Sequence, residues 1–117
     1  MKRSKFNIEG NDASIKTKEF LLKHYKDGVI REFDFGLVIW NEHYYGRTNS
    51  NLLYTINLNT TNKDKAIVEI ISGGGGVGFF NLSWWSEKDT ITIVWKDLSS
   101  FCKKTELSIE GCKIEKL

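Results

Sequence analysis

Apolar and polar positions change period along the chain, and those changes divide it into elements. Lys5-Phe-Asn-Ile-Glu alternates apolar with polar and predicts a short first strand that stops at Gly10. Asn11 or Asp12 is placed to cap a helix in which Ile15, Lys18, Leu22 and Tyr25 share a face with Leu21 beside them, and Gly28 is placed to close it. From residue 31 to 45, Phe33, Phe35, Leu37 and Ile39 alternate against Asp34, Gly36, Val38 and Trp40. That pattern predicts one long strand, or two joined by a bulge near Gly36. Its middle is apolar on both faces, so a helix should cover one side and another layer or subunit the other.

Gly46-Arg-Thr-Asn-Ser-Asn reads as a polar turn, after which Tyr54, Ile56 and Leu58 fall on one face of a second strand. The loop Asn59-Thr-Thr-Asn-Lys-Asp leads to a third, Ala66-Ile-Val-Glu-Ile-Ile, and Phe79-Phe-Asn-Leu-Ser-Trp-Trp is predicted to pair back as a fourth. Ser86-x-x-Asp89 resembles a capping box, and Ile91, Val94, Trp95, Leu98 and Phe101 follow at helical spacing. The β-branched run from Thr90 to Val94 is poor in helix formers, so helix and strand both stay open for residues 90 to 104. The segment after residue 105 reads as a short strand, or a pair broken at Gly111. These elements predict one α+β domain over residues 1–117: an antiparallel sheet of four to six strands with two helices on one face, in the order β-α-β-β-β-β-α-β.

The most concentrated feature is Ser72-Gly-Gly-Gly-Gly-Val-Gly-Phe-Phe-Asn-Leu-Ser-Trp-Trp85, which holds half of the ten glycines and two of the four tryptophans. Gly73-x-Gly75-x-x-Gly78 matches the dinucleotide fingerprint in letters only, because a strand rather than a helix is predicted to follow it. No Gly-Lys-Ser/Thr follows for a phosphate loop. A glycine-rich hairpin or bulge explains the run, with a backbone nest for an anion as the other reading.

Candidate chemistry elsewhere is sparse. Alternation sends Glu42 and His43 to opposite faces of their strand, so their adjacency builds no acid–base pair, and no catalytic residue is assigned. His24, His43, Cys102 and Cys112 are too scattered for a zinc site, and no metal or cofactor is expected. Two cysteines in 117 residues favour reduced thiols and, with no signal peptide or apolar run long enough for a bilayer, a cytoplasmic protein. A formal charge of +2 with interspersed signs and only Arg3, Arg31 and Arg47 as arginines excludes a concentrated nucleic-acid face.

What remains is aromatic. Trp40, Trp84, Trp85 and Trp95 exceed the evident needs of so small a core, and on a strand Trp84 and Trp85 would point to opposite faces. Beside Gly73, Gly74 and Gly75 they predict a surface that engages a copy of this chain or another protein. A small-ligand protein or small enzyme is the alternative, with Glu42, His43 or Glu87 buried in a pocket between sheet and helices.

Trp40-Asn-Glu-His-Tyr44, Ser72-Gly-Gly-Gly, Phe79-Phe80 and Ser86-Glu87 together resemble a small bacterial family of proteins of unknown function. In that family a Glu two residues before a Tyr ends a strand, a Ser-Gly-Gly turn precedes a Phe-Phe strand, and Gly-Glu opens the last helix. Ser86 stands here in place of that Gly, and the chain from about Thr105 has no counterpart. Over residues 5 to 102 the resemblance implies a cytoplasmic single-domain protein and carries no activity. Glu42, Tyr44, Gly73, Gly74 and Glu87 are the matching positions. Together with Gly75, Trp84 and Trp85 they form the candidate contact set.

Overall fold

The structure, a computed structural model, describes residues 1–45, 50–73, 80–111 and 114–116, and the side chains within 43–45, 50–52 and 80–89 fall outside that description. The elements are β1 (Lys2–Glu9), α1 (Ala13–His24), β2 (Val29–Phe33), β3 (Gly36–Tyr45), β4 (Ser50–Asn62), β5 (Lys65–Gly73), α2 (Phe80–Lys104), β6 (Ser108–Gly111) and β7 (Glu115–Lys116). This is the α+β order expected, with four strands between the helices and a C-terminal pair that parts at Gly111. The sheet runs β2-β3-β4-β5-β1-β6, with β7 also on β1, and every pairing is antiparallel. Among the described residues it has seven strands rather than four to six, because the 31–45 segment divides and both C-terminal strands join.

Two of the four middle strands differ from expectation. Residues 31–45 do not form one bulged strand: Phe33 pairs with Gly36, so Asp34 and Phe35 make a two-residue hairpin turn. Gly36 has φ 151, and a Cβ there would stand 1.8 Å from the carbonyl oxygen of Leu58, so only glycine fits. The strand expected over Phe79–Trp85 is replaced by helix from Phe80 onward, and Phe79 lies outside the described residues. Residues from Phe80 onward are the first turns of a 25-residue helix, and residues 90 to 104 belong to it. Ser86 and Asp89 lie inside that helix and do not cap it.

Strand alternation explains the core. Phe6, Ile8, Ala66, Val68, Ile70, Ile56, Leu58, Leu37 and Ile39 all fall on one sheet face and are buried there. Ile91, Val94, Leu98 and Cys102 recur at helical spacing on α2 and are buried with them. Each such Leu or Ile removed from water contributes roughly 1.5–3 kcal/mol, enough to hold the β-branched stretch of α2 helical against its weak propensity. Both helices therefore cover the same face.

On α1 the buried stripe is Ala13, Thr17, Leu21 and Tyr25, not the face led by Ile15, which is 56% exposed. Small residues at 13, 14 and 17 let the helix start lie close to the β4–β5 turn. Asp12 holds the N-cap position in a left-handed conformation with no side-chain cap. Its N–H donates instead to Asp64 Oδ1 at 3.0 Å, and the Ser14 N–H donates to the carbonyl of Lys63 at 3.1 Å. A neighbouring turn thus satisfies the helix start. Tyr25, not Gly28, caps its end.

Candidate functional site

The sheet face turned away from both helices is built from the other alternate residues. Strand pairing orders them into rungs that run across the sheet. One rung is Glu42, Leu53 and Gly73; the next is Val29, Trp40, Thr55, Ile71 and Arg3. The third is Arg31, Val38, Asn57, Glu69 and Lys5, and the fourth is Phe33, Gly36, Asn59, Ile67 and Asn7. An antiparallel sheet with one solvated face normally turns polar residues outward. Here Val29 is 59%, Leu53 49% and Trp40 37% exposed, and Phe33 and Phe35 are exposed with their rings stacked 5.1 Å apart.

A shallow hollow of about 280 Å³ opens among Val29, Trp40, Glu42 and Leu53, with Asp27 at its rim. Glu42 and Gly73, both expected as contact residues, are brought onto one rung with Leu53 between them. Met1 lies over the site a Gly73 side chain would take, its Sδ 3.7 Å away, so the apolar surface continues to β1. Glu42 is exposed, which removes it from any buried catalytic role.

Other expected residues are placed differently. Tyr44 pairs with Asn51 in the β3–β4 ladder, and its side chain lies outside the described residues. Gly74 and Gly75 lie outside them altogether. Trp84, Trp85 and Glu87 belong to α2 rather than to a strand, and their side chains lie outside the described residues. Successive helical residues project about 100° apart, and the opposed-face argument for the two tryptophans fails with the strand. Among the described side chains, Trp40 is the tryptophan of the uncovered face.

The helix-covered face carries an unanticipated feature. Its last rung before the glycine run is polar: Lys2, Ser72, Tyr54 and Asn41, of which the first three are buried. Asn41 Nδ2 donates to Tyr54 Oη at 3.1 Å, while the Ser72 hydroxyl is fully buried with no hydrogen-bond partner among the described residues. Continued alternation from Phe6 and Ile8 to Lys2, and from Ile56 to Tyr54, was the available signal.

A cleft of about 570 Å³ separates the C-terminal ends of the helices, lined by Phe20, Lys23, His24, Asp97, Phe101 and Lys104 among others. Phe20 stacks on Phe101 at 4.5 Å and on His24 at 5.0 Å. Asp97 Oδ2 accepts from Tyr25 Oη at 3.0 Å and lies 3.1 Å from His24 Nε2. Burial, then the Asp97 carboxylate, push the Tyr25 phenol well above its ordinary value, so it remains a donor. Lys23, Lys103 and Lys104 occupy the last helical turns, where cations offset the helix dipoles. The cleft therefore reads as a seam that joins two helices. A smaller crevice of about 300 Å³ between α2 and β1 is lined by Phe6, Ile91, Trp95 and Ile114 with Ser4 and Thr92.

Among the described residues no group of three His, Cys, Asp or Glu side chains is placed to hold a metal ion, and no helix is long and apolar enough to cross a membrane. Compared with known proteins, the chain matches no family model and no curated sequence.

Proposed function

We propose that this protein is a non-enzymatic, cytoplasmic binding or assembly module that docks through its uncovered sheet face. The observation that carries the reading is the contiguous apolar surface of Val29, Trp40 and Leu53 beside Gly73, on a face whose alternate positions would otherwise be polar. Trp and other large apolar groups with a charged rim are the composition of interface centres. The buried free thiol of Cys102 supports the cytoplasmic part. Membership of the bacterial family that the motifs resemble belongs to the same proposal and rests on the residues quoted for it.

A small-ligand role is the second reading, favoured by the size of the cleft between α1 and α2, which falls within the usual range for ligand sites. Native mass spectrometry at two protein concentrations separates the two. The assembly reading expects multiples of 13.5 kDa that grow with concentration. Monomer carrying a constant excess mass would replace it with the ligand reading.

A further inference from the structure

We propose that the uncovered sheet face is self-complementary: a second copy of this chain docks on it about a two-fold axis, so that Arg31 of each copy meets the partner's Glu69. This rests on the reading of that face as a docking surface, and adds the partner and the register.

β2 presents Val29, Arg31 and Phe33 on this face, and β5 presents Ile71, Glu69 and Ile67 on the same three rungs. One strand thus reads apolar, cation, apolar where the other reads apolar, anion, apolar. The two strands are separated by β3 and β4. Consider an axis midway between two facing sheets, parallel to the strands and centred between β3 and β4. It exchanges β2 with the partner's β5, and β3 with the partner's β4. Val29 then meets the partner's Ile71, Phe33 the partner's Ile67, and Arg31 the partner's Glu69, each contact made twice.

Size matches as well as charge. Trp40, the bulkiest group on β3, falls on the partner's Thr55, and Gly36, with no side chain, falls on the partner's Asn59. Facing sheets about 10 Å apart with strands within about 30° of one another are a common packing arrangement, so the contact requires no unusual geometry.

Both charges are available to a partner. Arg31 is exposed and has no hydrogen bond or ion pair among the described residues. Among the described residues the Glu69 carboxylate is approached by Arg3 alone, at 4.0 Å, while Arg3 is held by Glu115 at 2.6 Å. A different partner protein would need to match this face with its own surface. The mutual fit of β2 and β5 has a use only when the partner is the same chain. Edge-to-edge pairing along β2 centred on residue 31 would set Arg31 against the partner's Arg31 and is opposed by like charge.

Sedimentation velocity of Arg31→Glu and Glu69→Arg, alone and mixed, tests the register. Each variant alone places like charges at both contacts and should self-associate at least tenfold more weakly than wild type. Mixed in equal amounts, an all-anionic face meets an all-cationic one, and heterodimers should form with near wild-type affinity and lose it in high salt. Circular dichroism melts confirm folding, with Glu69→Lys in reserve should Glu69→Arg fold poorly. Single variants that associate like wild type, or mixtures that fail to recover, overturn the register. If Trp40→Lys still abolishes association in that case, the docking surface survives. A wild type that stays monomeric at every concentration overturns both.

Discussion

Tyr25 donates its phenolic hydrogen to Asp97 Oδ2 at 3.0 Å, and the same oxygen lies 3.1 Å from His24 Nε2, so one carboxylate ties the end of α1 to α2. A hydrogen bond to a charged group is worth about 1.5–3 kcal/mol, and Tyr25→Phe should lower stability by an amount in that range in urea titrations at neutral pH. The pH dependence has a definite sign. The phenol is raised when folded, so above about pH 10 the unfolded chain loses a proton that the folded chain keeps. Wild-type stability should fall as pH rises through that region, and Tyr25→Phe should flatten the fall.

Gly36 carries the hairpin that sets β2 beside β3. Its φ of 151 and the 1.8 Å approach of the Leu58 oxygen to a built Cβ leave no room for a side chain. Gly36→Ala should cost more than about 1 kcal/mol and release β2 first. Amide hydrogen exchange read by nuclear magnetic resonance should show Arg31 and Phe33, whose N–H groups face β3, losing protection ahead of β4. Equal loss throughout the sheet would contradict this.

The helical placement of Ser86 is open to a direct check. Within a helix, Ser86→Pro removes a backbone hydrogen bond and adds a clash, costing about 3 kcal/mol. At the first turn of a helix that began near Ser86, proline would be nearly neutral. Chemical denaturation of this single variant distinguishes the two.

Cys102 is buried in the core stripe of α2, and burial pushes its thiol up to about 11 from an ordinary 9.0. In a Cys112→Ser background the native protein should react with a thiol reagent only as fast as it opens. The raised thiol contributes stability below pH 9 that is lost as pH rises through about 11, because the unfolded thiol ionises first. Rapid labelling of the folded protein at pH 8 would refute the buried placement.

Legibility in the sequence followed the burial of faces. Tyr54, Ile56 and Leu58 alternate because one face of β4 is buried, and the strand is readable from that alone. The hairpin at Asp34 and Phe35 was hidden, since an aromatic turn residue continues the alternation of its neighbours. Aromatic pairs at 79–80 and 84–85 favour strands only weakly, and a helix already anchored by Ile91, Val94 and Leu98 extends at little cost. The element order nevertheless agreed, because the strand lost there was replaced by the one gained at the hairpin. The place of β1 between β5 and β6 depends on pairings such as Phe6 with Val68, distant in sequence, and no local pattern encodes them. On the uncovered face, Glu42 and Gly73 are positions the sequence also singles out, while Trp40 stood there only among the four tryptophans. Val29, Leu53 and Arg31 became visible only once the rungs were known.

Trp40 is the largest exposed group of the uncovered sheet face. The most direct measurement is sedimentation equilibrium of wild type and Trp40→Lys from low to high micromolar concentration, with circular dichroism confirming that both are folded. The account predicts that wild-type mass rises with concentration while Trp40→Lys stays at 13.5 kDa. Coincident mass curves for the two proteins would contradict it.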